Sequence, residues 1–174
     1  HLKKNTEFML LLCIMLIAAV MRFYNYSGWS LSNDELSALS RRNFGSFAQL
    51  INEGVRPDFH PGGIQVFLYF WVKIFGDSEA ALRFPFVICG IVSVFLLYLI
   101  GKKWFNASVG LLSALALAFL QFPILYSQLA RPYSPGLMFS LLNVYFWTLL
   151  IFDSRKHKPI VLVLCYSISI VLCM

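Results

Sequence analysis

Few residues of this 174-residue sequence can do chemistry, and they fall in three short clusters. The first is Asp34-Glu35. The second is Arg56-Pro57-Asp58-Phe59-His60-Pro61-Gly62-Gly63. The third is Arg83, together with Arg131 and Tyr133 from much later in the chain. A carboxylate can take a proton from a hydroxyl nucleophile. Arginines can hold a phosphate leaving group bidentately without losing charge. Carboxylates, an imidazole and guanidinium groups together suit group transfer from a phosphate-bearing substrate. Each piece also has a plain structural reading. A DE pair opening a helix caps it, Asp58 beside Arg56 makes a loop ion pair, and His60 before Pro61 is an ordinary loop residue. Arg83 at the start of an apolar run anchors that run at an interface. Arg131 is more informative, because it lies between two long apolar runs, where charge is costly and functional.

The composition decides what kind of scaffold holds these groups. Apolar residues make up 59% of the chain and charged residues 13%, with a mean hydropathy of +0.73. A soluble domain has about 45–50% apolar and about 25% charged residues. A soluble enzyme, a disordered tail and a secreted disulfide scaffold are therefore excluded, and an all-α integral membrane protein is expected. The net charge is +6. Its basic residues sit at the ends of apolar runs, where they set topology, so nucleic acid is not an expected partner. Cys13, Cys89, Cys165 and Cys173 all lie inside apolar runs with no CxxC spacing, and read as small hydrophobes. His1 in place of an initiator Met, and Met174 inside an apolar run, suggest a segment of a longer protein.

Charge-free stretches predict transmembrane helices over about 8–24, 84–101, 106–126, 134–152 and 159–174. The apolar stretch Ile64–Phe75 is too short to span, since twelve residues of helix rise only about 18 Å. If it does not span, Lys3/Lys4, Lys102/Lys103 and Arg155/Lys156/Lys158 all fall on one side, the cytoplasmic one by the positive-inside rule. If it spans, that agreement is lost. The expected architecture is thus a multi-helix transmembrane bundle with a large first outer loop, about 25–83, carrying interfacial helices over about 34–51 and 64–75. All three chemical clusters then share the non-cytoplasmic face.

In order and wording these clusters resemble the membrane glycosyltransferases of the GT-C fold. The likeness is to the bacterial family 39 branch, which includes protein O-mannosyltransferases and is related to the aminoarabinose transferases of lipid A. It rests on five elements across most of residues 8–152. They are the acidic pair in Ser32-Asn33-Asp34-Glu35-Leu36-Ser37 and an HPP-like Asp58-Phe59-His60-Pro61-Gly62. Then come Phe75-Gly76-Asp77-Ser78-Glu79-Ala80-Ala81-Leu82-Arg83-Phe84-Pro85 and Gly101-Lys102-Lys103-Trp104-Phe105. Last is Tyr126-Ser127-Gln128-Leu129-Ala130-Arg131-Pro132-Tyr133. Two positions depart from the family pattern: Gly62 replaces the second proline of HPP, and Leu129 replaces the Glu of YSQEAR.

The resemblance implies transfer of a sugar from a polyprenyl-phosphate donor to a protein, lipid or glycan acceptor. It implies an active face turned outward at a membrane, the bacterial inner membrane by the family's distribution. Asp34 would be the general base, with Glu35 supporting it or positioning the acceptor. His60, Arg83, Arg131 and Tyr133 would bind the donor phosphate, and Asp58 would support them. A divalent metal near the HPP-like element is suggested by the aminoarabinose transferases, but Asp58 and His60 alone do not make a site. Two readings from other classes stand beside this one: a transporter fragment, suggested by Arg131 and by the breaks at Pro123, Pro132, Pro135 and Gly136, and a non-catalytic membrane subunit.

Overall fold

The structure is a computed structural model and describes residues 4–40, 43–57, 62–152 and 159–173. Among these residues it contains helices and no strands. Among the described residues three helices are long and apolar enough to cross a membrane, or four if one bent pair counts as a single span. The protein is an all-α membrane protein.

Helix α1, Lys4–Phe23, has Glu7 in its first turn and Arg22 in its last. That arrangement complements the helix dipole. Its twenty residues rise about 30 Å, one hydrocarbon thickness. Phe8, Leu12, Leu16 and Val20 remain exposed on one face, while Ile14 and Ala18 turn inward. The chain leaves α1 through Asn25, whose φ of 52° lies in the left-handed region that Asn tolerates.

Helix α2 is Asn33–Ser40. The expected continuous helix over 34–51 is instead broken. The chain restarts at Ser46, whose hydroxyl accepts from the Gln49 amide at 3.1 Å, and α3, Phe47–Gln49, runs into a π-helical turn, Leu50–Val55. Ser46 competes for backbone donors and Gly45 lacks a side chain, so the helix restarts there.

Helix α4, Gly62–Phe75, stops at Gly76, where φ is 83° and the amide donates to Val72. A glycine at a left-handed C-terminal position ends helices in this way.

Helix α5, Glu79–Trp104, starts on Ser78, which accepts from Ala81 N–H. Half of its best membrane window is buried, against 17% for α1 and 11% for the later helix Tyr133–Phe152, so α5 is the axis of the bundle. Pro85 inside it has no N–H to give to the Ala81 carbonyl. The Trp71 indole N–H fills that vacancy from α4 at 2.8 Å. This bond docks α4 onto α5 at the carbonyl that Pro85 leaves without an amide.

Helices α5 and α6, Ala107–Phe119, form a tight hairpin. Asn106 caps α6 through Val109 N–H at 3.0 Å. Gly101 and Gly110 face each other, and a Cβ on Gly110 would meet Tyr98 O at 2.7 Å and Lys102 N at 2.8 Å. Small residues permit this backbone approach.

The single helix expected over 106–126 is two. After α6 the chain bends by 62° into α7, Gln121–Ser127. Pro123 explains the break: a continuous helix would drive its ring into the Phe119 carbonyl. The last two helices are α8, Tyr133–Phe152, and α9, Pro159–Cys173.

Helices α1 and α5 are antiparallel. Glu7, near the start of α1, bonds Lys102 near the end of α5 at 2.6 Å, and Tyr98 donates to the same carboxylate. At the other end, Arg22 lies against Gly90. Among the described residues the core has two clusters. One joins α1, α5 and α6 through Ile14, Ala18, Val94, Tyr98, Leu111, Ala114, Leu117 and Ala118. The other gathers Ala38, Leu39, Leu68, Leu82, Phe86 and Ala130 and fixes α2 and α4 over the start of α5.

The hairpin generates a prediction. Gly110→Val forces backbone apart at the α5–α6 crossing and should cost about 1–3 kcal/mol, the usual range for overpacking. Gly45→Ala, whose Cβ meets only Gln49 Oε1 at 3.8 Å, should leave Tm nearly unchanged. Thermal unfolding of the two variants in detergent checks the contrast.

Candidate active site

The acidic pair opens α2 through a reciprocal cap. Ser32 Oγ accepts from the Glu35 amide at 3.3 Å, and the Glu35 carboxylate accepts from the Ser32 amide at 3.0 Å. This is the capping box that the spacing Ser32-x-x-Glu35 encodes. It turns the two neighbouring acids in opposite directions: Glu35 is fully buried, and Asp34 is exposed.

Glu35 and Arg83 form a buried ion pair. Arg83 Nε and Nη2 donate to the two carboxylate oxygens at 2.9 and 2.8 Å. Nη1 donates to the carbonyls of Tyr26 and Trp29, and Nη2 donates also to Ser30. A guanidinium has five N–H donors, and these five contacts use them all. Burial pushes the Glu35 carboxyl up, but hydrogen bonds from Arg83, the Ala130 amide and the Ser32 amide, with the charge of Arg83, outweigh it and leave the group below its ordinary value.

The same carboxylate reaches the third cluster. Its Oε1 accepts from the Ala130 amide at 2.9 Å. Arg131 Nη1 donates to the Asp34 carbonyl at 3.4 Å. Gln128 Nε2 donates to the carbonyls of Arg22 and Tyr24 at 3.0 and 2.9 Å, and Ser134 Oγ donates to Phe86 at 2.8 Å. The turn between α7 and α8 is thereby fastened to α1, α2 and α5. The structure thus brings together Asp34, Glu35, Arg83 and Arg131 from far apart in the chain. Tyr133 sits two residues on, half exposed, its ring 4.6 Å from that of Tyr126. Asp58 and His60 lie outside the described residues. Among the described residues no three His, Cys, Asp or Glu side chains gather as metal ligands.

Beside this turn lies an apolar cavity of about 440 Å³. Its wall includes Ile64 and Phe67 of α4, Phe86 of α5, and Pro132, Pro135 and Phe139 around the start of α8.

Sequence reasoning missed Arg22, Gln128 and Gly90. Arg22 ends α1 and is wholly buried. It donates to Leu117 at 3.0 Å and to Ala118 at 3.4 Å, the carbonyls that α6 leaves open at its break. An arginine at the end of an apolar run has the sequence signature of an interfacial anchor, so no local signal separates the two roles. For Glu35 a signal existed in Ser32-x-x-Glu35.

Residues 59–171 match the family model described as dolichyl-phosphate-mannose-protein mannosyltransferase. The chain belongs to this family. No curated protein and no solved structure matched it. Membership makes the protein a membrane glycosyltransferase of the mannosyltransferase type. The matched segment contains His60, Arg83, Arg131 and Tyr133; Asp34 and Glu35 precede it.

Two predictions follow from the buried pair. Glu35→Gln or Arg83→Met alone strands a buried group and should lower stability by about 3–5 kcal/mol. The double variant should lose less than the sum of the two, read from Tm. Because the folded carboxyl lies below its unfolded value of 4.5, its stabilisation is complete above that pH and is lost as pH falls through the lower folded value. Tm of the wild type should therefore drop on acidification below about pH 4.5 more steeply than that of the double variant.

Proposed function

We propose that this mannosyltransferase-family protein moves a sugar from a polyprenyl-phosphate donor to an acceptor hydroxyl, with Asp34 as general base. The observation that carries the reading is the bond from Arg131 to the Asp34 backbone carbonyl, next to an apolar cavity that Pro132 lines. The cavity suits the first isoprene units of a lipid donor. Arg131 would face its phosphate, with Tyr133 and, from the HPP-like element, His60 and Asp58 beside it. The acceptor oxygen attacks the anomeric carbon, Asp34 takes its proton, and the carbon–oxygen bond to phosphate breaks. The electron pair leaves on the polyprenyl phosphate, where a guanidinium offsets the growing charge. One displacement inverts the anomeric configuration.

Glu35 and Arg83 take positioning roles in this scheme. Arg83 has all five donors engaged by protein acceptors, so it has none to offer a phosphate without dismantling the pair. This reassigns the role that the family resemblance suggested for it.

The antiparallel pairing of α1 and α5 supports an outward active face. It puts Lys4 and the Lys102-Lys103 pair at one end of the bundle, the cytoplasmic end by the positive-inside rule. The acidic pair and Arg131 lie at the other end. Helix α4 has 14 residues and rises about 21 Å, which suits a helix lying at the interface.

In membranes containing the full-length protein, Asp34→Asn should reduce mannose transfer from polyprenyl-phosphate mannose to a peptide or glycan acceptor by about 10²–10⁴-fold, the range for loss of a general base, while donor binding persists. Equal transfer by wild type and variant would remove Asp34 as the base. An impermeant thiol reagent applied from outside should label Ser37→Cys and leave Lys103→Cys unlabelled; the reverse pattern would overturn the orientation.

A further inference from the structure

The scheme above leaves one buried charge unused. Arg22 is wholly buried, and its partners are all backbone carbonyls, those of Ala18, Leu117 and Ala118. No carboxylate among the described residues pairs with it. Its Nε has no acceptor at all. A cation in this state, at the end of a membrane-spanning helix, is costly unless an anion neutralises it.

A cavity of about 180 Å³ lies against Arg22, with Gly90, Phe122, Tyr126, Tyr133 and Ser134 also in its wall. At about 30 Å³ per liquid water, that is room for several waters or one phosphate group. Gly90 packs directly on the Nε side and has no side chain to displace it. A Cβ there would lie 3.0 Å from Arg22 Nε and 2.7 Å from Ser127 Cβ. The missing side chain, the orphaned donor and the cavity therefore coincide.

The geometry points to an anion subsite at Arg22, taking a phosphate-class oxyanion in the cavity beside Gly90. Arg22 supplies the charge and the free Nε–H. Tyr126 and Tyr133 supply hydroxyls from the wall, while the Ser134 hydroxyl already donates to Phe86. The oxyanion belongs either to the phosphate of a lipid or to free phosphate; the chemistry is the same. The subsite does not depend on Arg131 holding the donor, although both share Tyr133. Neutralising Arg22 would also stabilise the α6–α7 break that it spans, so occupancy raises thermal stability.

The test uses the purified full-length protein in detergent, with farnesyl phosphate, inorganic phosphate and farnesol as probes and Tm as the readout. The expected result is a saturable rise in Tm with farnesyl phosphate and none with farnesol. A rise with inorganic phosphate alone assigns the free anion; a rise only with farnesyl phosphate assigns the lipid. Gly90→Ala and Arg22→Gln should each weaken the response at least tenfold. An equal effect of farnesol, no response to any probe, or an unchanged response in both variants overturns the subsite. A response abolished by Arg131→Gln but untouched by Gly90→Ala also overturns it, and leaves the donor reading standing. Wild-type crystals soaked in tungstate, a heavy phosphate analogue, give an answer that needs no substitution. Density beside Arg22 Nε supports the subsite, and density elsewhere or nowhere overturns it.

Discussion

The carboxylate of Glu35 accepts from five groups at once: two on Arg83, the amide and hydroxyl of Ser32, and the amide of Ala130. Arg83 in turn fixes three carbonyls of the loop between α1 and α2. Remove either partner and the other is left charged in a site closed to water, which is why such pairs tolerate no half measures. The start of α2, the loop before it, the second turn of α5 and the turn before α8 therefore hold or fail as one unit. Two of the groups proposed for chemistry sit one residue from this anchor. Asp34 precedes Glu35, and Arg131 follows Ala130. Burying one residue of each pair sets the position of its neighbour.

The helix interruptions obey a related constraint. Where water is scarce, a backbone group without a partner costs several kcal/mol. Three sites of this kind in the bundle have recruited a side chain. The carbonyl freed by Pro85 takes the Trp71 indole, and the carbonyls opened by the bend before Pro123 take the Arg22 guanidinium. Gln128 does the same for the carbonyls at the end of α1. Polar residues that look isolated in an apolar sequence are thus spent on backbone, and the breaks they fill are what allow α7 to fold back toward the site.

Much of the architecture was legible because it is local. Long charge-free runs specify helices in a membrane, and the elements Ser78 to Pro85 and Tyr126 to Tyr133 carry a family likeness that the match over 59–171 makes explicit. The capping box at Ser32 was equally local, though it is easily passed over when the acids are read as chemistry first. The continuous helix expected over 106–126 failed for an identifiable reason, since Pro123 carried the signal and the apolar pattern concealed it.

What the sequence determined by itself was the solvent, the helical class and the chemical inventory, because hydrophobic runs and residue types act over a few turns of helix. What only the tertiary structure decided was which partners each charge meets. Arg83 and Arg131 read alike in the sequence, yet one has every donor bound inside the protein. Arg83 meets Glu35, 48 positions away, and Arg131 meets the Asp34 carbonyl, 97 positions away. Such contacts form only after α1, α2, α5 and the turn before α8 have packed together, and no periodicity or spacing along the chain encodes them.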